Sequence, residues 1–95
     1  MIQSFKNTAT RKYYEGCDVR QFRSVNRELA IKRFDILHAA TQLADIPPLR
    51  SVNLHPLKGD RQGQWAISIN GPWRICFDFH DSNAYHVELI DYHEG

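Results

Sequence analysis

The chain has 95 residues, 42% hydrophobic and 12% aromatic, with a formal net charge of +1. That is enough apolar material for one globular domain over residues 1–95, with a real but limited core, and too much for a disordered chain. No apolar run approaches the ~18 residues of a membrane helix, and a polar, basic segment rather than a signal sequence follows Met1, so a soluble cytoplasmic protein with no membrane partner is expected.

Ile2 to Phe5 reads as a short first strand. Asn7 or Thr8 can cap a helix that ends near Glu15 and Gly16, where glycine supplies the left-handed stop. Asp18 is a second plausible cap. After it Phe22, Val25, Leu29, Ile36, Ala40 and Leu43 recur at helical spacing, widened by Leu37 and Ala44, which predicts one long amphipathic helix. Arg20, Arg23, Arg27, Lys32 and Arg33 lie between them, and Pro47-Pro48 ends the helix.

The second half reads as sheet. Trp65, Ile67 and Ile69 alternate with polar or small residues, as do Trp73, Ile75, Phe77 and Phe79, which turns Arg74, Cys76 and Asp78 the other way. Asn70-Gly71 suggests a two-residue turn, but that register pairs Ile67 with Arg74 and puts charge on the apolar face. A three-residue loop, Asn70-Gly71-Pro72, instead pairs Ile67 with Ile75 and Ser68 with Arg74, and keeps Pro72, which has no N–H, out of the ladder. A last strand, Ala84 to Ile90, follows the turn at His80 to Asn83. The order β-α-α-β-β-β-β predicts an α+β fold with two N-terminal helices packed on one face of a mainly antiparallel sheet.

Charge is divided along the chain. Residues 1–61 hold eleven Lys or Arg against six acids, and residues 62–95 hold only Arg74 against five. The basic part offers a nucleic acid a surface, although solvated helix faces are commonly basic without any partner. Cys17 and Cys76 lack a CxxC partner, and Cys76 in a strand reads as a small buried hydrophobe rather than a metal ligand. No metal or cofactor is expected.

RNA can be cut by its own 2′-hydroxyl if a base, a cationic phosphate site and an acid are supplied. His55 before Pro56, Lys58 in a Gly-containing turn, Arg74, and the run Asp91-Tyr92-His93 provide those residue types. The guanidinium fork of Arg74 suits a phosphate, Lys58 is a movable point charge, and Tyr92 or His93 can stack on a base. Each also has a plain structural use. His55 suits a surface turn, Lys58 and Arg61 can guard strand ends, Arg74 can pair with Glu88 across the sheet, and a terminal Asp-Tyr-His can fray. Spacing does not bring these residues together.

The ordered set Met-Ile-x-Ser-Phe-Lys at the start, Ala39-Ala40-Thr41, Leu54-His-Pro-Leu-Lys-Gly-Asp60, Gly63-x-Trp-x-Ile-x-Ile69, Trp73-Arg-Ile-x-Phe77 and Asp91-Tyr-His93 resembles the HigB toxins of the RelE/ParE superfamily over nearly the whole length. The resemblance implies helices on a twisted sheet whose other, concave face carries the active site. It implies a type II toxin that enters the ribosomal A site and cuts the mRNA codon there, with His55, Lys58, Arg74, Asp91, Tyr92 and His93 as its catalytic set. In that reading Lys58 and Arg74 hold the phosphate. Asp91 and His55 move protons, with Asp91 the preferred base, and Tyr92 and His93 position the nucleotide or assist the leaving group. Arg61, Lys32 and Arg33 are candidate RNA or ribosome contacts. The partners implied are a HigA-type helix-turn-helix antitoxin, the ribosome and mRNA, with operator DNA reached only through the antitoxin. The alternatives are a non-catalytic inhibitor of a protein target, as in the gyrase-poisoning ParE branch, or a degenerate toxin that binds only its antitoxin.

Overall fold

The computed structural model describes residues 1–92. Helix α1 (Thr8–Tyr14) starts where Asn7 accepts the Thr10 N–H at 2.9 Å, and it stops at Glu15 with Gly16 in the left-handed region at φ 99°. The expected long helix is divided. Phe22 and Val25 are buried, but Phe22 belongs to a 3₁₀ turn (Arg20–Phe22) and Val25 to the loop after it. Helix α2 (Arg27–Ala39) starts afresh at Asn26, whose side chain accepts the Leu29 N–H at 3.1 Å. Asn70 secures the break from 44 residues away: its Oδ1 accepts the Asn26 N–H at 2.8 Å and its Nδ2 donates to the Ser24 carbonyl at 3.2 Å. Helix α2 ends at Ala39, capped by Ala40, and not at the prolines, because Asp45 draws Thr41 and Gln42 into the cap of a further 3₁₀ turn (Leu43–Asp45). Those bonds hold the Asp45 carboxyl below its usual pKa, the Thr41 backbone N–H foremost.

Strands β1 (His55–Pro56), β2 (Trp65–Ser68), β3 (Trp73–His80) and β4 (Asn83–Asp91) form one antiparallel sheet in the order β1-β2-β3-β4. Ile67 pairs with Ile75 and Ser68 with Arg74, the register that the three-residue loop requires. Asp81 and Ser82, at φ 51° and 66°, make the turn between β3 and β4. The expected first strand is reduced to two parallel bridges on the outer edge of β4, Ile2 with Ala84 and Phe5 with Val87. Two residues of β4, His86 and Val87, face one of β3, and His86 takes φ 53° to form this bulge.

One face of the sheet is covered by the helices. Phe22, Phe34 and Leu37 meet Ile67, Ile75, Phe77, Val87 and Leu89 in the main core, with Trp73 at its margin. Full burial of such side chains contributes roughly 1.5–3 kcal/mol each. Among the described residues, no helix is long and apolar enough to cross a membrane.

Candidate active site

The register sets which side chains share the sheet's second face. His55 pairs with Ala66, Ala66 with Cys76, and Cys76 with Glu88, a row across the four strands. The next row is Ser68, Arg74 and Ile90. Ala66 and Cys76 are sealed, and with Leu57 they form a small apolar floor on which Ile90 and Tyr92 pack. Burial pushes the Cys76 thiol up to about 11, with the charges of Arg61, Glu88, Lys6 and Arg74 acting on it less strongly. Glu88 is the cross-strand neighbour of Cys76, Arg61 and Lys6 meet Glu88, and Arg74 lies two residues along β3.

The segment after β1 folds over this floor. Lys58 precedes a 3₁₀ turn (Gly59–Arg61), is exposed, and has no ion pair among the described residues. Arg61 reaches across the sheet, its Nη2 donating to Glu88 Oε1 at 3.0 Å and its Nη1 to Gln64 Oε1 at 3.2 Å. Lys6 Nζ lies 3.6 Å from the same Glu88 oxygen. Glu88 is thus taken by Arg61 and Lys6, and the pairing with Arg74 open to it from the sequence is not made. Arg74 Nη1 donates to the carbonyls of Gly71 at 2.7 Å and Trp73 at 2.9 Å, and its Nε is buried and has no hydrogen-bond partner among the described residues. Among the described residues no carboxylate pairs with Arg74. Its charge is held in place by neutral groups.

His55 Nδ1 lies 2.7 Å from the Asn53 carbonyl. A carbonyl only accepts, so Nδ1 carries the hydrogen, which in a neutral imidazole makes Nε2 the acceptor nitrogen. That Nε2 is buried. Asp91 pairs with Trp73 and follows Leu89 by two residues, which puts it on the helix-facing side of the sheet. There it lines a hollow of about 250 Å³ with Gln21, Phe22 and Trp73. Tyr92 turns back to the second face, and its backbone N–H donates to the Pro72 carbonyl at 2.9 Å. His93 lies outside the described residues.

The second face thus gathers His55, Arg74, Tyr92 and Arg61, with Lys58 beside it, and leaves Asp91 at the far end of the sheet on the other side. Lys32 and Arg33 belong to the helical layer. Lys32 is exposed and 3.8 Å from Glu28. Arg33 is 8% exposed and donates to the carbonyls of Ser68 at 2.9 Å and Ser51 at 3.3 Å. Arg27 is likewise engaged, stacked 4.1 Å from the Tyr13 ring and bonded to the Cys17 carbonyl. Two charged residues of the face were not singled out as site candidates. Alternation with the buried Val87 and Leu89 along β4 gives a signal for Glu88, whereas Lys6 arrives only through the tertiary bridges to β4.

Two helices on one face of an antiparallel sheet, with cations gathered on the other, suit a RelE-like toxin, and a family model described as the RelE-like toxin of type II toxin–antitoxin system HigB matches residues 3–93. The chain is 32% identical over 93 residues to Endoribonuclease HigB of Proteus vulgaris, covering 98% of this chain and 100% of that protein. The chain belongs to the HigB-like toxin family. As a type II toxin it has an antitoxin for a partner.

Proposed function

We propose that this toxin is an endoribonuclease that cuts mRNA in the ribosomal A site and so halts translation. The 2′-oxygen attacks the adjacent phosphorus, the bond to the 5′-oxygen breaks, and a cyclic phosphate and a 5′-hydroxyl are left. Arg74 and Lys58 hold the phosphate and meet the charge that builds up in the transition state. His55 accepts the 2′-hydroxyl proton once the RNA has opened a path to Nε2. Asp91, the base preferred on sequence, pairs with Trp73 on the helix-facing side, so in this reading it is the second proton carrier and reaches the RNA only when the end of β4 turns; Tyr92 and His93 position the nucleotide or assist the leaving group.

The observation that carries this reading is Arg74, a half-buried guanidinium on the same face as His55, without a carboxylate to neutralise it among the described residues. The name of the Proteus vulgaris relative, an endoribonuclease, supports RNA cleavage as the activity. Arg61, Lys32 and Arg33 stand as proposed RNA or ribosome contacts, Arg33 requiring release from the carbonyls it now holds. The partner in this reading is a HigA-type helix-turn-helix antitoxin, which alone touches operator DNA, and the site of action is the cytoplasm.

The test is to map mRNA ends on programmed ribosomes incubated with purified protein, beside the same RNA free in solution. Cuts at A-site codons on ribosomes, with free RNA nearly untouched, are expected. Intact message at high toxin concentration overturns the reading, and growth arrest with a DNA-damage response and intact message points to a protein-binding toxin instead.

A further inference from the structure

The second face holds a carboxylate among its cations. Glu88 is 13% exposed at its side chain and Arg61 25%, and they meet at 3.0 Å, with Lys6 on the same oxygen at 3.6 Å. The Arg61 fork, whose parallel donors match a phosphate, is already divided between Glu88 and Gln64. A part-buried pair of this kind is screened by salt much less than an exposed one. Arg74 and Lys58 differ in kind. Arg74 bonds neutral carbonyls and Lys58 is exposed, and neither faces a carboxylate among the described residues.

We propose that Glu88 sets the RNA affinity of this face by occupying Arg61 and Lys6, so that an RNA phosphate must displace a carboxylate before either cation can bind it. The proposal rests on the reading of this face as the RNA-binding one. The free toxin then grips RNA with fewer cations than its sequence supplies, and phosphate recognition falls first to Arg74 and Lys58. The strength of the grip is a property of position 88.

The test uses the full chain and a fluorescein-labelled single-stranded RNA oligonucleotide with 2′-O-methyl sugars, which cannot be cut, followed by anisotropy over a series of monovalent salt concentrations. Glu88→Gln keeps the shape and one accepting oxygen for Arg61, and removes the charge. Its Kd falls several-fold at low salt, and the plot of log Kd against log salt steepens by about 0.7 for each cation released. The double variant Glu88→Gln/Arg61→Gln reverses most of that gain. Asp78→Asn, which removes a β3 carboxylate bonded to His86 at 2.8 Å, leaves the slope as it was.

Unchanged Kd and slope in Glu88→Gln overturn the proposal, as does the absence of binding by both proteins. An equal shift in Asp78→Asn also overturns it, because net charge alone then explains the effect. Cleavage on programmed ribosomes is scored separately: intact message there, with the affinity shift present, sinks the endoribonuclease reading and leaves the role of Glu88 standing.

Discussion

Arg33 of α2 completes the edge of the sheet at Ser68. Its Nε donates to the Ser68 carbonyl at 2.9 Å, while the Ser68 N–H donates to Val52 at 2.7 Å, beyond the two residues that β1 provides. Ser68 pairs in turn with Arg74. A cation in the helical layer therefore holds the strand next to the proposed phosphate site.

Removing Arg33 leaves two carbonyls without their charged donor. Arg33→Met is expected to cost about 2–4 kcal/mol, read as a lower urea midpoint. Lys32→Met, one residue away and exposed, should fall within about 0.5 kcal/mol of the parent. Similar midpoints for the two variants would remove the structural role of Arg33.

Arg74→Ala should lower the cleavage rate on ribosomes by roughly 10²–10³-fold, the range for losing a donor to a developing oxyanion. Arg74→Lys restores charge without the planar fork and should recover only part of that loss. Circular dichroism checks that both variants fold. Cleavage by Arg74→Ala at the parent rate would rule out this site.

His55 and Asp91 are separated by their pH profiles. If His55 is the base, His55→Ala removes the limb of the pH–rate profile that rises with pH, and Asp91→Asn retains it. The opposite pattern assigns the base to Asp91 and requires the end of β4 to turn during RNA binding.

The two cysteines should differ sharply towards iodoacetamide. Cys17 is exposed, whereas Cys76 is sealed and its thiol is raised to about 11 by burial, so little thiolate forms at pH 8. Mass spectrometry should find one adduct on the folded protein and two after unfolding in urea. Two rapid adducts under native conditions would mean that the floor beneath Arg74 opens readily.

The hairpin register was legible because two local constraints agreed: Ile67 and Ile75 had to share a face, and Pro72 could not donate to a ladder. The long helix is divided even though Phe22 and Val25 keep helical spacing, because a 3₁₀ turn and a loop bury them instead. What breaks that helix is Asn70, a residue no local window includes. In the candidate site, alternation alone turned Arg74 away from Ile75. The side taken by Asp91 was harder to read, since the bulge at His86 resets the alternation between Ala84 and Val87. Counting from Leu89 instead gives the observed side.

The segment Ile2 to Lys6 reaches β4 across almost the whole chain, and Ser4 Oγ accepts the His86 N–H over 82 positions. The β2–β3–β4 meander needs only short loops, so loop-closure entropy favours its formation before that distant pairing. Phe5→Ala should therefore speed unfolding and leave the folding rate nearly unchanged in stopped-flow measurements; a slowed folding limb would place the pairing in the nucleus. Lys6 meets Glu88 only when this segment docks. Until it docks, Glu88 has Arg61 as its cation and lacks Lys6, so the part of the chain that pairs last completes the electrostatic character of the face.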